Sequence, residues 1–352
     1  MRSFQVCQCG APLELHEQPD PKPQGTEVLL KVIAAGVCHS DLHFWEGYYD
    51  LGHGKTLRLT DRGMKLPLTM GHESVGEVVA VGPRARGIKV GARRLIYPWI
   101  GCGSCGVCKR GDEQLCTAPR FLGVFIPGGY ADHIMVPHPR YLIDYGKIPA
   151  DQAAPLACSG VTAYGALKKL GDVVKREPVV IIGAGGLGLV CLSILKAMKG
   201  KGAIVVDIDP AKRATAKKMG AIAAIDPHSP EPVKQIQAAA KGPIWAAIDF
   251  VGLQETAQLA IDSLIKGGKL VVVGLFGGDI TLSLPLVPIR AMTVQGSYTG
   301  SLKELNELLA LLRKAPLPYV PTGKRPLEGA TGALNDLKAG KVIGRLVLTP
   351  AG

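Results

Sequence analysis

The stretch Val179-Val180-Ile181-Ile182 runs without a break into Gly183-Ala184-Gly185-Gly186-Leu187-Gly188, and no other segment restricts the architecture of the chain so tightly. An apolar strand delivering a G-x-G-x-x-G turn into a helix belongs to a parallel sheet, because the helix returns the chain to the end at which it started. In such a turn one glycine permits the tight bend, one lets the backbone approach a pyrophosphate, and one allows helix to pack on strand. The helix N-terminus then faces the phosphates. Further apolar strands are expected at Ala203 to Asp207, Ile222 to Ile225, Trp245 to Phe250, Leu270 to Gly274 and Thr293 to Gly296, with helices opening near Gly186, Pro210, Glu231 and Gln254. Six strands complete a doubly wound parallel sheet. Asp207 follows Gly188 by nineteen residues, where a carboxylate accepts hydrogen bonds from an adenosine ribose and repels a 2′-phosphate. NAD is therefore expected over NADP, with Lys212 and Arg213 close enough to soften that preference. A dinucleotide-type domain that binds nothing, or another nucleotide, is the competing reading.

Ahead of this winding, from Glu27 to Gly91 and from Gly128 to Pro137, β-branched runs such as VLLKVIAAG and VGEVVAVG are cut by Gly and Pro, a mostly-β pattern. After Gly300 a helix through Leu311 and a strand around Leu346 to Leu348 do not extend the winding. They are expected to rejoin the first unit, which makes the cofactor unit (153–297) an insertion between 1–152 and 298–352. A length of 352 residues suits two domains. No apolar run is long enough to span a bilayer and no leader is visible, so a soluble, cytoplasmic chain without a membrane partner is expected. The net charge of +12 is spread over scattered Lys and Arg, and aromatics amount to 5%. That pattern argues against a nucleic-acid partner and fits a basic surface that attracts an anionic dinucleotide.

Two clusters carry metal chemistry. Cys102, Cys105, Cys108 and Cys116 give C-x2-C-x2-C-x7-C within a glycine-rich lobe at about 101–117. Four thiolates complete a tetrahedral zinc shell and leave no open position, so this site reads as structural. Backbone N–H groups and the nearby Lys109 and Arg110 would ease its negative charge. An iron–sulfur cluster and a free-standing zinc ribbon are the alternatives. The second cluster begins with Cys38-His39-Ser40-Asp41-Leu42-His43, continues with Gly71-His72-Glu73 and is joined by Cys158. One His and two Cys form a three-ligand shell with a place left for water or an alcohol. Two thiolates cancel Zn²⁺, so such a shell can be buried. Taken singly, Cys38 and Cys158 read equally well as small buried residues, and His72 as a satisfied core histidine.

With these motifs the sequence resembles the zinc-containing alcohol dehydrogenases of the medium-chain dehydrogenase/reductase superfamily, closest to microbial and archaeal NAD-dependent members. The segment from Gly71 to Ala85 reads G-H-E-x2-G-x5-G-x2-A, which is similar to the zinc signature of that family throughout. The resemblance covers nearly the whole chain. It implies an α/β architecture, in which a Rossmann doubly wound parallel six-stranded sheet accompanies a mostly-β GroES-like catalytic domain. It also implies two Zn²⁺ per subunit, one catalytic and one structural, together with NAD. Cys38, His72 and Cys158 would hold the catalytic zinc, with Glu73 nearby or exchanging as a ligand. Asp41 would orient His72, and Ser40 would pass the alcohol proton through the nicotinamide ribose to a solvent-facing His43.

The same resemblance places His39 at the pyrophosphate, Thr162 and Ser297 among the nicotinamide contacts, and Val273, Gly274 and Leu275 along that path. Lys212 and Arg345 would lie near adenosine and phosphates, and Trp99 and Phe121 would line the substrate pocket. It implies reversible oxidation of primary or secondary alcohols to aldehydes or ketones. It further implies a homo-oligomer, tetramer over dimer, joined through a strand near Ile280 to Leu284. The presence of Cys158 favours simple alcohols over polyols. Cys7, Cys9 and Cys191 match no ligand position and are expected to be unmetallated thiols. A polyol dehydrogenase, an oxidiser of aldehyde adducts and a non-catalytic zinc protein that binds nucleic acid are the competing readings of function.

Overall fold

The computed structural model describes residues 1–315 and 320–350, so 316–319 and 351–352 of the expected 298–352 stretch lie outside the described residues. The winding that follows Pro178 is present strand by strand. Val179–Ile182, Ala203–Val206, Ala223–Ile225, Ala246–Asp249, Lys269–Val272 and Thr293–Gly296 form one six-stranded sheet. Every pairing in it is parallel. Counted along the chain, the strands lie side by side in the order 3-2-1-4-5-6. The order reverses between Val179–Ile182 and Ala246–Asp249, and a crevice opens beyond the carboxyl ends of these two strands.

The inner strands are apolar on both faces because both faces are covered. Val179 and Ile181 pack in the larger core together with Leu189 and Ile194 of helix Gly186–Ala197 and Val161 and Leu167 of helix Ser159–Leu170. Val180 and Ile182 point the other way, against Ile236 of helix Pro232–Ala240 and Ile261 of helix Gln254–Ser263. Strands expected to reach Asp207, Phe250 and Gly274 stop at Val206, Asp249 and Val272. They end where the chain peels away from its neighbours to line the crevice.

The N-terminal part is built around the strand Val28–Val37, which pairs with Glu73–Val81, His133–Val136 and Arg345–Thr349. The helix Leu302–Lys314 opens with a reciprocal cap, in which Glu304 N–H donates to Ser301 Oγ and Ser301 N–H to Glu304 Oε2. Leu305, Leu308, Leu309 and Leu312 form its buried stripe. The last strand sets Leu346 opposite Val37, so the end of the chain returns to the first sheet.

Two features depart from the sequence pattern. The segment after Val37 is helical from His39 to Glu46, where a β region was expected, because Asp41 caps its start. No strand occupies 280–284. A strand needs a hydrogen-bonded partner, and this single chain supplies none there. Leu284 at its end and Ile289 beyond it are 81% and 60% exposed. Among the described residues no helix is long and apolar enough to cross a membrane.

Register positions the site. Gly36 faces Glu73 across the ladder, which brings Cys38 beside His72. A Cβ on Gly36 would lie 2.1 Å from Glu73 Oε2, so that crossing requires glycine. In the sheet above, a Cβ on Gly188 would lie 1.8 Å from the carbonyl oxygen of Gly183. Gly188→Val is expected to cost about 1–3 kcal/mol through overpacking and to weaken NAD binding. Urea unfolding followed by circular dichroism checks this, and an unchanged midpoint refutes it.

Candidate metal and dinucleotide sites

Cys38 precedes the helix His39–Glu46 and its backbone N–H donates to Asp41 Oδ2 at 2.8 Å. Asp41 is fully buried. Its Oδ1 lies 2.9 Å from His72 Nδ1, and Tyr130 Oη donates to its Oδ2 at 3.0 Å. A carboxylate on Nδ1 holds a proton on that nitrogen and leaves Nε2 as the ring atom that a metal would take in place of a proton. Among the described residues His72 Nε2 is buried without any hydrogen-bond partner. Such an orphan polar atom is costly unless something occupies it.

The two other donors are at hand. Cys38 Sγ and Cys158 Sγ are 4.0 Å apart, and the ligand atoms of Cys38, His72, Glu73 and Cys158 all lie within 4.8 Å of one another. Two sulfurs and an imidazole around one point fit zinc and leave a fourth position open. Hydrogen bonding to Cys158, working against burial, holds Cys38 well below the usual thiol range, while that contact and burial push Cys158 up. Burial opposes a charge on His72, but Asp41 outweighs it and lifts the imidazole well above its ordinary value. Glu73 is pushed up to about 7 by burial, against the pull of Arg345. It pairs with the Arg345 guanidinium and accepts from the Ser159 hydroxyl at 3.2 Å.

The four lobe cysteines also lie within 4.8 Å of one another. Cys102–Cys108 and Cys105–Cys116 sulfurs are each 3.9 Å apart. The N–H groups of Cys102 and Ala118 donate to Cys116 Sγ, and that of Cys105 to Cys102 Sγ. Backbone dipoles thus ease the thiolate charge as expected. Arg110 instead reaches Asp112, at 3.8 Å.

Between the two sheets lies a cavity of about 1150 Å³, lined by Phe44, Tyr49, Leu57, Phe121, Gly274 and Tyr298 among others. On the dinucleotide side, Gly185 has nothing within 4 Å of where a Cβ would stand, so the loop leaves room for a ligand. Asp207 accepts from Ala184 N–H and Asp209 N–H. Thr162 Oγ1, Ser297 Oγ and Arg345 Nε are buried and unpartnered among the described residues. These orphans, the open Gly185 face and the helix start at Gly186 fit a dinucleotide.

The chain matches the family model described as alcohol dehydrogenase GroES-like domain over 24–149, and that described as zinc-binding dehydrogenase over 186–314. It is 37% identical to an NAD-dependent alcohol dehydrogenase of Sulfurisphaera tokodaii, covering 99% of this chain and 100% of the relative. A protein of the same name from Saccharolobus solfataricus is 36% identical, with 99% and 100% covered. This chain belongs to the zinc-containing alcohol dehydrogenases of the medium-chain superfamily. The crystal structure of an alcohol dehydrogenase from Aeropyrum pernix is similar throughout, with a TM-score of 0.89 at 30% identity over 99% of this chain and 100% of that one.

Within this zinc-containing dehydrogenase several side chains sit elsewhere than expected. His43 is 9% exposed, not solvent-facing, because the hairpin Tyr48–Asp50/Thr56–Arg58 lays the Tyr49 ring 4.7 Å from it. Trp99 is buried behind the cavity wall. Its ring lies 5.4 Å from His72 and 5.2 Å from Phe121, and its Nε1 donates to Ala157 O at 3.1 Å. Phe121 does line the cavity. Arg345, expected at adenosine and phosphates, is committed to Glu73, although its Cδ also abuts Gly186. His39 stacks on Phe276 at 4.4 Å. Arg213 pairs with Asp226 at 3.0 Å and donates to the carbonyls of Asp207 and Ile208, so it is not free for a 2′-phosphate. Lys212 lies close enough to act on His39, whose pKa is lowered chiefly by burial.

Tyr130, Tyr49 and Tyr298 escaped the sequence reading. Tyr298 alone carried a signal, since it follows the carboxyl end of the strand Thr293–Gly296, where parallel sheets place ligands. Asp41→Ala is expected to weaken zinc binding at the Cys38 site by roughly 10–100-fold, with the lobe unaffected. Zinc content after dialysis against a competing chelator measures this. Retention equal to wild type would show that Asp41 does not orient His72.

Proposed function

We propose that this chain oxidises primary or secondary alcohols to aldehydes or ketones with NAD, and runs the reverse reaction with NADH. The observation that carries the reading is the orphan Nε2 of His72, held by Asp41 beside two cysteine sulfurs. Zinc held by Cys38, His72 and Cys158 would supply the Lewis acid that makes the alcohol easier to deprotonate, and NAD the hydride acceptor. Glu73, tied to Arg345, stands by as an alternative donor.

The proton has a path in this chain's own residues. Ser40 and His43 lie three positions apart on one helix and so share a face. Ser40 takes the alcohol proton as it releases its own hydroxyl proton toward His43, one turn on, which holds it. Burial keeps His43 below the ordinary imidazole value of 6.5, so it is neutral and able to accept at pH 7. Phe44, Phe121 and Tyr298 give the cavity an apolar wall, which suits hydrocarbon substituents on the carbinol carbon and excludes water.

Around the cofactor, the glycine loop Gly183, Gly185, Gly186, Leu187 and Gly188 receives the pyrophosphate and Asp207 the ribose. Thr162, Val273, Gly274, Leu275 and Ser297 flank the nicotinamide. Lys212 supplies positive charge to the phosphates, His39 a ring N–H donor, and Arg345 the Nε that its pairing with Glu73 leaves unpartnered among the described residues. The return of the last strand to the first sheet supports a division into 1–152 with 298–352 and 153–297. The exposed apolar side chains around Leu284 and Ile289 support a homo-oligomer, a tetramer over a dimer, which light scattering of the purified chain would test.

NADH formation with a panel of primary, secondary, benzylic and polyhydroxy alcohols tests the activity. Turnover on simple alcohols that vanishes in Cys38→Ala supports the reading, and none with any alcohol in zinc-loaded protein overturns it. For the relay, kcat of the wild type is expected to hold as pH falls to 6.5 and to drop only below it, as His43 protonates. His43→Gln should lower kcat by about 10²-fold or more and abolish that acid limb. An unaltered pH profile in the variant excludes His43 as acceptor.

A further inference from the structure

Beyond the two zinc sites, the N-terminal hairpin assembles a third set of metal donors. Arg2–Val6 pairs antiparallel with Glu14–Glu17, with Ser3 opposite His16 and Gln5 opposite Glu14. Side chains alternate across a strand, so Ser3, Gln5 and the next odd residue, Cys7, share one face with Glu14 and His16. Cys7 Sγ lies 3.3 Å from His16 Nε2, and the donor atoms of Cys7, Glu14 and His16 all fall within 4.8 Å of one another. That spread is within the limit the catalytic and lobe clusters also meet.

The donor set is selective. A thiolate, an imidazole and a carboxylate combine sulfur, nitrogen and oxygen, a mixture that suits Zn²⁺ and its transition-metal neighbours and not Mg²⁺ or Ca²⁺. The two anionic donors cancel the charge of a divalent ion, so a bound ion leaves the hairpin neutral. Cys7 and His16 are half-buried and Glu14 is exposed, which gives an ion access from solvent and leaves water the fourth position. Cys7, expected to be an unmetallated thiol, thus stands in a ligand geometry that no spacing motif announces.

We propose that Cys7, Glu14 and His16 form a third, solvent-exchangeable zinc site that staples the N-terminal hairpin. The hairpin backs the catalytic shell. Gln5 and Val6 pair with Thr69 and Leu68, a few residues ahead of His72, and Phe4 N–H donates to the carbonyl oxygen of Tyr130, whose hydroxyl holds Asp41. An ion closing the turn between the two strands would stiffen that support without touching the reacting atoms.

The test is a zinc count on the full-length enzyme. Wild type, Cys7→Ser and His16→Ala are dialysed in zinc-buffered solution and assayed for bound metal, and cobalt-loaded samples are compared by their thiolate-to-cobalt absorption. Wild type is expected to hold one zinc equivalent per chain more than either variant, and to show a zinc-dependent gain in melting temperature that both variants lose. The cobalt band should lose intensity in Cys7→Ser. Alcohol oxidation should persist in all three, so the metal count is read independently of the proposed activity. Glu14→Gln, a change at an exposed position, serves if Cys7→Ser does not fold, and should weaken zinc at this site about tenfold or more. Equal zinc content and equal melting shifts in wild type and variants would overturn the proposal.

Discussion

Everything around the catalytic cluster depends on one buried carboxylate. Asp41 has no exposed surface, and a charge so placed is tolerable only when every lone pair is met. The partners are Cys38 N–H, His72 Nδ1 and Tyr130 Oη. Each comes from a different part of the chain, so satisfying Asp41 also fixes where these parts meet. Its place in the first turn of the helix His39–Glu46 adds the favourable end of that helix's dipole. The helix, in turn, sets out Ser40 and His43 in register with Cys38. Orientation of His72, capping of a helix and alignment of the proposed proton path therefore rest on a single side chain.

A second buried ion pair joins the two ends of the molecule. Glu73 follows His72 directly, whereas Arg345 opens the last strand of the chain and abuts Gly186 of the nucleotide loop. Removing either partner would leave an unpaired charge in a site that already holds Asp41 and two cysteines, the costly outcome for a buried pair. The pair links the Cys38–His72–Cys158 cluster to the glycine turn, so under the proposed function a negative phosphate near Gly186 would compete with Glu73 for the same guanidinium. Arg345 Nε, buried and unpartnered among the described residues, is the donor left over for that contact.

How far the sequence revealed this depends on whether the information is local. Strand and helix periodicity around Val179–Ile182 and Gly186–Ala197 is set by burial on two faces, and it reads directly from residue order. The candidate metal donors that the structure gathers, Cys38, His72 and Cys158 in one cluster and the four lobe cysteines in another, were singled out in the sequence, the lobe by its local spacing and the other three by their resemblance to a known zinc shell. Tyr130, by contrast, reaches Asp41 only because its backbone pairs with Phe4 and Met70, and long-range pairing leaves no mark in local composition. The burial of His43 depends likewise on a hairpin folded over it. Cys7 looked like a spare thiol for the same reason: His16 and Glu14 become its neighbours through strand register alone.

The cleft itself is assembled from loops on both sides, and that governs which substrates and which cofactor posture it allows. His53 meets Asp279 at 2.6 Å, and Gly277 lies so near Asp50 that a Cβ would stand 2.7 Å from the Asp50 Cβ. The hairpin over His43 is thereby docked on the turn that follows the fifth strand of the parallel sheet. His39 and Phe276 stack across the same seam. If His39 is to reach a pyrophosphate, it must leave Phe276, so binding of the dinucleotide would exchange an aromatic contact for a hydrogen bond from the ring N–H. Both Phe276 and Leu275 are about half exposed, at 49% and 43%, and little packing opposes their displacement. The carbinol side of the cavity is different: Phe44 and Phe121 are almost wholly buried, at 4% and 3%, and are fixed in the core of the first sheet. Adaptability therefore lies on the wall of Leu275 and Phe276 and rigidity on that of Phe44 and Phe121, an arrangement that suits the proposed function, in which a large dinucleotide is admitted on one side and a small alcohol held on the other.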